Sequence, residues 1–98
     1  MTFAIDDEPS LEDRVEIFKA LADPVRLDLL TRIASSDEVA CTTLVEEAHV
    51  TASTISYHMK GLKAAGLVAV RKEGRNYHYT LRQSTLSALG AYLENFSR

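Results

Sequence analysis

Cysteine is almost missing from this sequence: Cys41 stands alone among 98 residues. A single thiol excludes an internal disulfide and cannot by itself build a zinc knuckle. Long apolar runs are missing too, and none approaches the ~18 residues that a membrane span needs. The first eight residues, M-T-F-A-I-D-D-E, are acidic and lack the basic start of a signal peptide. No internal repeat or low-complexity tract interrupts the chain. There is no glycine-rich phosphate loop, no nucleophile beside a base and no pair of catalytic carboxylates. An enzyme is therefore the weakest reading, with no catalytic residue and no cofactor expected. At 46% hydrophobic and 26% charged residues, the composition is that of a globular domain. What remains is a small, single-domain protein, expected in the cytoplasm and without a membrane partner.

Positive charge is scarce overall, with a net of −3, but it is not evenly scarce. Residues 1–49 hold twelve acids and four bases, a net of −8. Residues 50–82 hold six bases (Lys60, Lys63, Arg71, Lys72, Arg75 and Arg82) against Glu73 alone, a net of +5. Because screening confines a charge to about 8–10 Å, the local excess matters more than the total. A basic solvated face without a partner is the plainer reading of the same split.

Residues 1–9 read as a loose acidic arm ended by Pro9, and residues 10–98 as one folded domain. Ser10 is placed to cap a helix, with Asp13 where a capping box has its acid. Leu11, Val15, Phe18, Leu21 and Ala22 recur at helical spacing. Asp23-Pro24 ends that helix and starts another, Asp23 as cap and Pro24 at the first helical position. Its buried side is expected to be Val25, Leu29, Leu30 and Ile33. Residues 38–41 suggest a short strand. Thr42 or Thr43 then caps a third helix, Glu46 standing at capping-box spacing from Thr43, with Leu44, Val45 and Ala48 apolar.

The stretch 50–67 carries the most information. Ile55, Met59 and Leu62 form an i, i+4, i+7 stripe. Ser53, Tyr57 and Lys60 point the opposite way, flanked by Thr54, Ser56 and Lys63, and Gly66 stops the helix. A helix with one apolar face and one of small hydroxyls and lysines suits the edge of a DNA groove. It follows the third helix after only about three residues, which is the helix-turn-helix arrangement. Residues 67–72 then alternate as a strand, residues 73–76 turn, and residues 77–81 return, with Tyr77, Tyr79 and Leu81 on one face. A hairpin with a basic tip in this place is a wing. Ser84 or Thr85 opens a last helix striped by Leu86, Leu89, Leu93 and Phe96.

The order of elements predicts a mainly α fold with a β-hairpin wing, a winged helix-turn-helix. Three stretches make the chain resemble the ArsR/SmtB family of small bacterial regulators: F-K-A-L-A-D-P-V-R-L at 18–27, S-T-I-S-Y-H-M-K at 53–60 continuing through Leu62 and A-G-L-V at 65–68, and the wing from Arg71 to Leu81. The resemblance covers nearly everything after Leu11. It implies a homodimer built from the first and last helices, binding an inverted-repeat operator in double-stranded DNA and repressing transcription. The small size of the chain points the same way, since one core cannot cover both terminal stripes. Leu11, Val15, Phe18, Leu86, Leu89, Leu93 and Phe96 are the expected dimer residues.

On this reading Thr51, Ser53, Thr54, Ser56 and Tyr57 are base-edge or phosphate contacts, with capping the simpler role for any single Ser or Thr and for Thr51 above all. Lys60 and Lys63 neutralise phosphates, Arg75 and Asn76 enter a minor groove, and Arg71 and Lys72 meet the backbone. His58, beside the apolar stripe, is expected to pack or orient; His49 and His78 read as surface residues. The family's metal sites do not transfer. Its thiolate positions fall on Ala40, Thr42 and Val45, and the last helix has no histidine and one acid, Glu94, so no metal is expected at either site. Cys41, without a flanking base, reads as a small buried hydrophobe, with a disulfide between protomers as the redox alternative. The competing functions are a winged-helix module that binds protein and not DNA, against which the basic stretch weighs, and a sensor using a non-standard metal or redox site.

Overall fold

A computed structural model describes residues 9–97. The acidic arm expected over residues 1–9 therefore lies, apart from Pro9, outside the described residues. The elements follow in the order α1 (Leu11–Leu21), α2 (Pro24–Ala34), β1 (Val39–Ala40), α3 (Cys41–Ala48), α4 (Ala52–Ala64), β2 (Val68–Glu73), β3 (Asn76–Leu81) and α5 (Gln83–Glu94). The winged helix-turn-helix is the fold that forms.

Local chemistry sets most of the boundaries. Ser10 and Asp13 form a reciprocal capping box, Asp13 N–H donating to Ser10 Oγ at 3.1 Å and Ser10 N–H to Asp13 Oδ2 at 3.2 Å. Asp23 caps α2 through the N–H groups of Val25 and Arg26, with Pro24 at the first helical position. His49 closes α3 in the left-handed conformation at φ 57°, a place usually given to glycine, and so lets residues 49–51 turn directly into α4. At the far end of α4, Gly66 N–H donates to the Lys63 carbonyl and Leu67 N–H to the Leu62 carbonyl, both at 2.9 Å. This is the paired bonding of a Schellman cap, and it needs Gly66 at φ 75°.

The three strands pair antiparallel in the order β1-β3-β2, with Val39 opposite Tyr79 and Val68 opposite Leu81. Glu73 pairs with Asn76, so the wing turns on Gly74 and Arg75 alone, tighter than the four residues expected. The core gathers one face of nearly every element: Ile17 and Ala20 of α1, Leu29 and Ile33 of α2, Leu44, then Ile55, Met59 and Leu62 of α4, with Leu67, Val68 and Tyr79 of the wing.

Two expected helix starts are corrected. Thr42 and Thr43 do not cap α3; the helix starts at Cys41 with Ala40 as its N-cap and no side-chain cap. Pairing of Ala40 with His78 holds residue 40 extended, so the strand runs straight into the helix. Nor does α5 start at Ser84 or Thr85. Arg82 is its N-cap, fixed by its N–H on the Leu67 carbonyl, and Thr85 is buried. Helix α1 turns Ile17 and Ala20 to the core and leaves the stripe of Leu11, Val15 and Phe18, the residues expected at a dimer contact, exposed.

Candidate nucleic-acid interface

Helix α4 has the two faces its sequence implies. Ile55, His58, Met59 and Leu62 are buried. Ser53, Ser56, Tyr57, Lys60 and Lys63 are exposed, Tyr57 at 66% despite its size, and Thr54 is half-buried. An aromatic side chain left that open on a helix with a dry opposite face suits a partner that offers both apolar and polar edges. Thr51 is the N-cap: its Oγ1 accepts from Thr54 N–H at 3.2 Å and lies 3.1 Å from Ser53 Oγ and 2.9 Å from Thr54 Oγ1. The hydroxyl is occupied in starting the helix, which is the simpler of the two roles expected of it.

The cations around α4 differ in how they are held. Among the described residues, Lys60, Lys63, Lys72, Arg75 and Arg82 form no ion pair. Lys72 lies 5.6 Å from the centroid of the Tyr77 ring, and Arg75 is exposed at the wing tip. Arg71 is different. It donates from Nε to Glu38 Oε2 at 3.1 Å and from Nη2 to Glu38 Oε1 at 2.7 Å, and it also reaches Glu73. The bidentate guanidinium holds the carboxyls of Glu38 and Glu73 below their ordinary range and raises its own pKa. Arg71 thus ties β2 to the residue just before β1, and its charge is largely spent inside the protein.

Two clefts border the outward face of α4. One, of about 200 Å³, lies between α4 and the wing and is lined by Ser56, Met59, Lys60, Lys63, Val70, Tyr77 and Tyr79. Burial of Tyr79, followed by the nearby Cys41 thiol, pushes its phenol well above the usual tyrosine range, so it stays a neutral wall of this cleft. The other, of about 470 Å³, opens between the second half of α4 and β2, with Lys60, Lys63 and Arg82 at its edge. Arg82 escaped the list of contacts drawn from sequence. It counted in the basic stretch, but nothing local showed that the turn after β3 returns it to α4.

His58 is 8% exposed and accepts a hydrogen bond at Nδ1 from Arg26 Nε, 3.2 Å away, in keeping with the orienting role expected of it. His78, read as a surface residue, is instead half-buried, 3.8 Å from Glu38. Cys41 packs partly buried against the core. Among the described residues, no three His, Cys, Asp or Glu side chains gather in a group able to hold a metal ion, and no helix is long and apolar enough to cross a membrane.

The terminal helices complete the geometry. Arg14 of α1 stacks on the Tyr92 ring of α5 at 4.1 Å, and Tyr92 meets Phe96 edge-on at 5.4 Å. Leu11, Val15 and Phe18 on one helix, and Leu93 with Phe96 on and just beyond the other, are all exposed. Leu89, expected at the dimer contact, is buried instead in the chain's own core, with Leu86 packed half-buried against it.

A family described as a helix-turn-helix domain matches residues 21–71, the segment from the end of α1 into the wing. The chain is 39% identical over 84 residues to an uncharacterized HTH-type transcriptional regulator, YceK, of Bacillus subtilis (strain 168), an alignment covering 85% of this chain and 81% of that one. It is 33% identical over 85 residues to an arsenical resistance operon repressor of Staphylococcus xylosus, covering 87% and 81%. The chain belongs to the ArsR/SmtB family. Among solved structures, an ArsR-like transcriptional regulator from Rhodococcus sp. RHA1 superposes with a TM-score of 0.76 at 27% identity, over 87% of this chain and 79% of that one. An ArsR/SmtB protein with this face on α4 is a DNA-binding transcriptional regulator, which the exposed Tyr57 and the unneutralised cations around it fit.

Proposed function

We propose that this ArsR/SmtB regulator acts as a homodimeric repressor in the cytoplasm, binding an inverted-repeat operator and leaving it in response to an inducing signal. Residues 10–98 form the binding domain behind a short acidic arm at 1–9. The observation that carries the reading is the joint exposure of Ser53, Tyr57 and Lys60 on α4 beside cations that form no ion pair among the described residues. Ser53, Thr54, Ser56 and Tyr57 approach base edges. Lys60, Lys63 and Arg82 take backbone phosphates along the α4–β2 cleft, and Lys72 joins them from the wing. Arg75 and Asn76 reach the adjacent minor groove. Thr51 and Arg71 build the reading head instead of touching DNA. Pairing through α1 and α5 sets two α4 helices about 34 Å apart, one turn of B-DNA.

A salt-titrated binding assay on duplex DNA from the gene's own promoter tests this. Affinity falls steeply with salt, and the double variant Lys60→Ala/Arg75→Ala lowers the slope of log K against log salt by about 2. Absent or salt-insensitive binding would sink the reading in favour of a module that binds protein.

A further inference from the structure

We infer that Arg26 is a positioning residue for the recognition helix α4, acting through His58, and that the contact holds only while His58 is neutral. The inference rests on α4 being the DNA-reading element. Arg26 starts at a fixed place: its N–H donates to the Asp23 carboxylate at 3.1 Å in the cap of α2. Its side chain then crosses to α4 and meets three positions there. Nε–H donates to His58 Nδ1 at 3.2 Å. The guanidinium lies flat on Gly61, so near that a Cβ at that position would sit 2.6 Å from Cζ and 2.7 Å from each Nη. It also stands 5.9 Å from the centroid of the Tyr57 ring, which itself meets the His58 ring edge-on at 5.1 Å.

One planar cation therefore touches the flank of α4 at 57, 58 and 61, just beneath the outward face. His58 is buried and Tyr57 is open, so the chain of contacts runs from the start of α2, through a fixed imidazole, to the most exposed aromatic on the reading face. The free edge of the guanidinium opens into a cleft of about 230 Å³ lined by Glu16, Lys19, Ala20, Gly61, Ala64 and Ala65.

The protonation state follows from the donor. Arginine has no acceptor atom, so Nδ1 must carry a lone pair, and the imidazole proton sits on Nε2. A proton on Nδ1 removes the acceptor and sets two cations 3.2 Å apart. The charged groups facing the ring are Arg26 of α2 and Asp23, its N-cap, and the uncharged Tyr57 ring meets it from its own helix. From α1, Glu16 and Lys19 face the guanidinium. Among the described residues, no hydrogen bond or ion pair joins His58 to α3 or the sheet.

The test is DNA binding by the full chain between pH 5.5 and 8, on the same promoter duplex, with a thermal melt of each variant. Protonation of His58 costs the wild type about tenfold in affinity, the scale of one charge-assisted hydrogen bond. His58→Gln keeps an acceptor for Arg26 but does not titrate; it binds like the wild type at pH 7.5 and loses the acid response. Arg26→Ala weakens binding about tenfold at pH 7.5 with the salt slope unchanged, because no phosphate contact is lost. Gly61→Ala displaces the guanidinium and weakens binding likewise, yet in the Arg26→Ala background it costs nothing further and raises the melting temperature, as alanine for glycine does in a helix. A salt slope lowered by about 1 in Arg26→Ala would make Arg26 a phosphate contact and overturn the inference. So would an acid response that persists in His58→Gln, or additive losses in the Gly61 pair. A wild type that binds no DNA overturns the functional reading and this inference together; the variant results, given a wild type that binds, overturn this inference alone.

Discussion

At the head of α2 the Asp23 carboxylate accepts two backbone N–H groups, and the bond from Arg26 does most to hold its pKa below the ordinary 3.8. A carboxylate whose folded pKa is depressed contributes stability above its unfolded pKa and loses it as the pH falls through the folded value. Asn in its place keeps the cap but not the charge. The urea midpoint of the wild type should therefore exceed that of Asp23→Asn near pH 7, and the gap should shrink once the pH drops below about 4, where the unfolded carboxyl takes up its proton, and close as the folded carboxyl does so at lower pH. A gap that stays constant to pH 2.5 would show that the charge contributes nothing. Glu38 and Glu73, both held low by Arg71, titrate in the same acid range, so the variant retains part of the wild type's acid sensitivity. At this scale the sequence was readable where partners are close along it. Ser10 with Asp13, Asp23 with its two N–H groups, and Thr51 with Thr54 are all within three residues. Arg71 with Glu38 and Arg26 with His58, 33 and 32 residues apart, depend on the finished packing, and no local pattern announces them.

Among the elements, α4 depends on both its ends. Thr51→Ala should cost about 1 kcal/mol of unfolding free energy, the usual worth of an N-cap, while the salt slope of DNA binding stays unchanged. Because an uncharged hydroxyl releases no counterion, a tenfold loss of affinity at fixed salt in the folded variant is what would give Thr51 a DNA contact after all. Gly66→Ala should cost about 1 kcal/mol, since a side chain must adopt φ 75° to preserve the Schellman cap, and urea melts read it directly. The same two ends were plain in the sequence, as was the 55/59/62 stripe between them, because helix periodicity and glycine stops are local signals. The starts of α3 and α5 were not. Threonine and serine near those starts are good caps in isolation, but strand pairing at Ala40 and the Arg82–Leu67 bond decide where the backbone enters the helix. Helix α1 shows the other limit: Leu11, Val15 and Phe18 give the more regular stripe, while Ile17 and Ala20 go to the core, and periodicity alone cannot rank two apolar faces.

For the molecule as a whole, the apolar faces left over by the core are the guide to assembly. The chain measures 42 × 25 × 22 Å, and its single core takes one face of each helix while leaving a second apolar face open on α1 and at the end of α5. Leu11 is 68% exposed and Phe96 70%, with Val15, Phe18 and Leu93 also open, and the Arg14–Tyr92 stack keeps their two helices side by side. If this face pairs two copies, charge placed on it should separate them without unfolding either. Phe18→Glu/Leu93→Glu is therefore expected to keep the wild-type helix signal and melt cooperatively, yet to run as a monomer in a mass measurement at micromolar concentration. Its affinity for an inverted-repeat duplex should fall at least 100-fold, because each half-site then binds without its tethered neighbour. Leu89 supplies the contrast within the same helix. Its side chain fills the protomer's own core, so Leu89→Ala should lower stability by about 2–3 kcal/mol. A double variant that stays dimeric, or one that unfolds as Leu89→Ala weakens the fold, would place the dimer contact elsewhere. Separation into folded monomers with lost operator affinity would tie the terminal helices to DNA reading by a route that never touches the DNA.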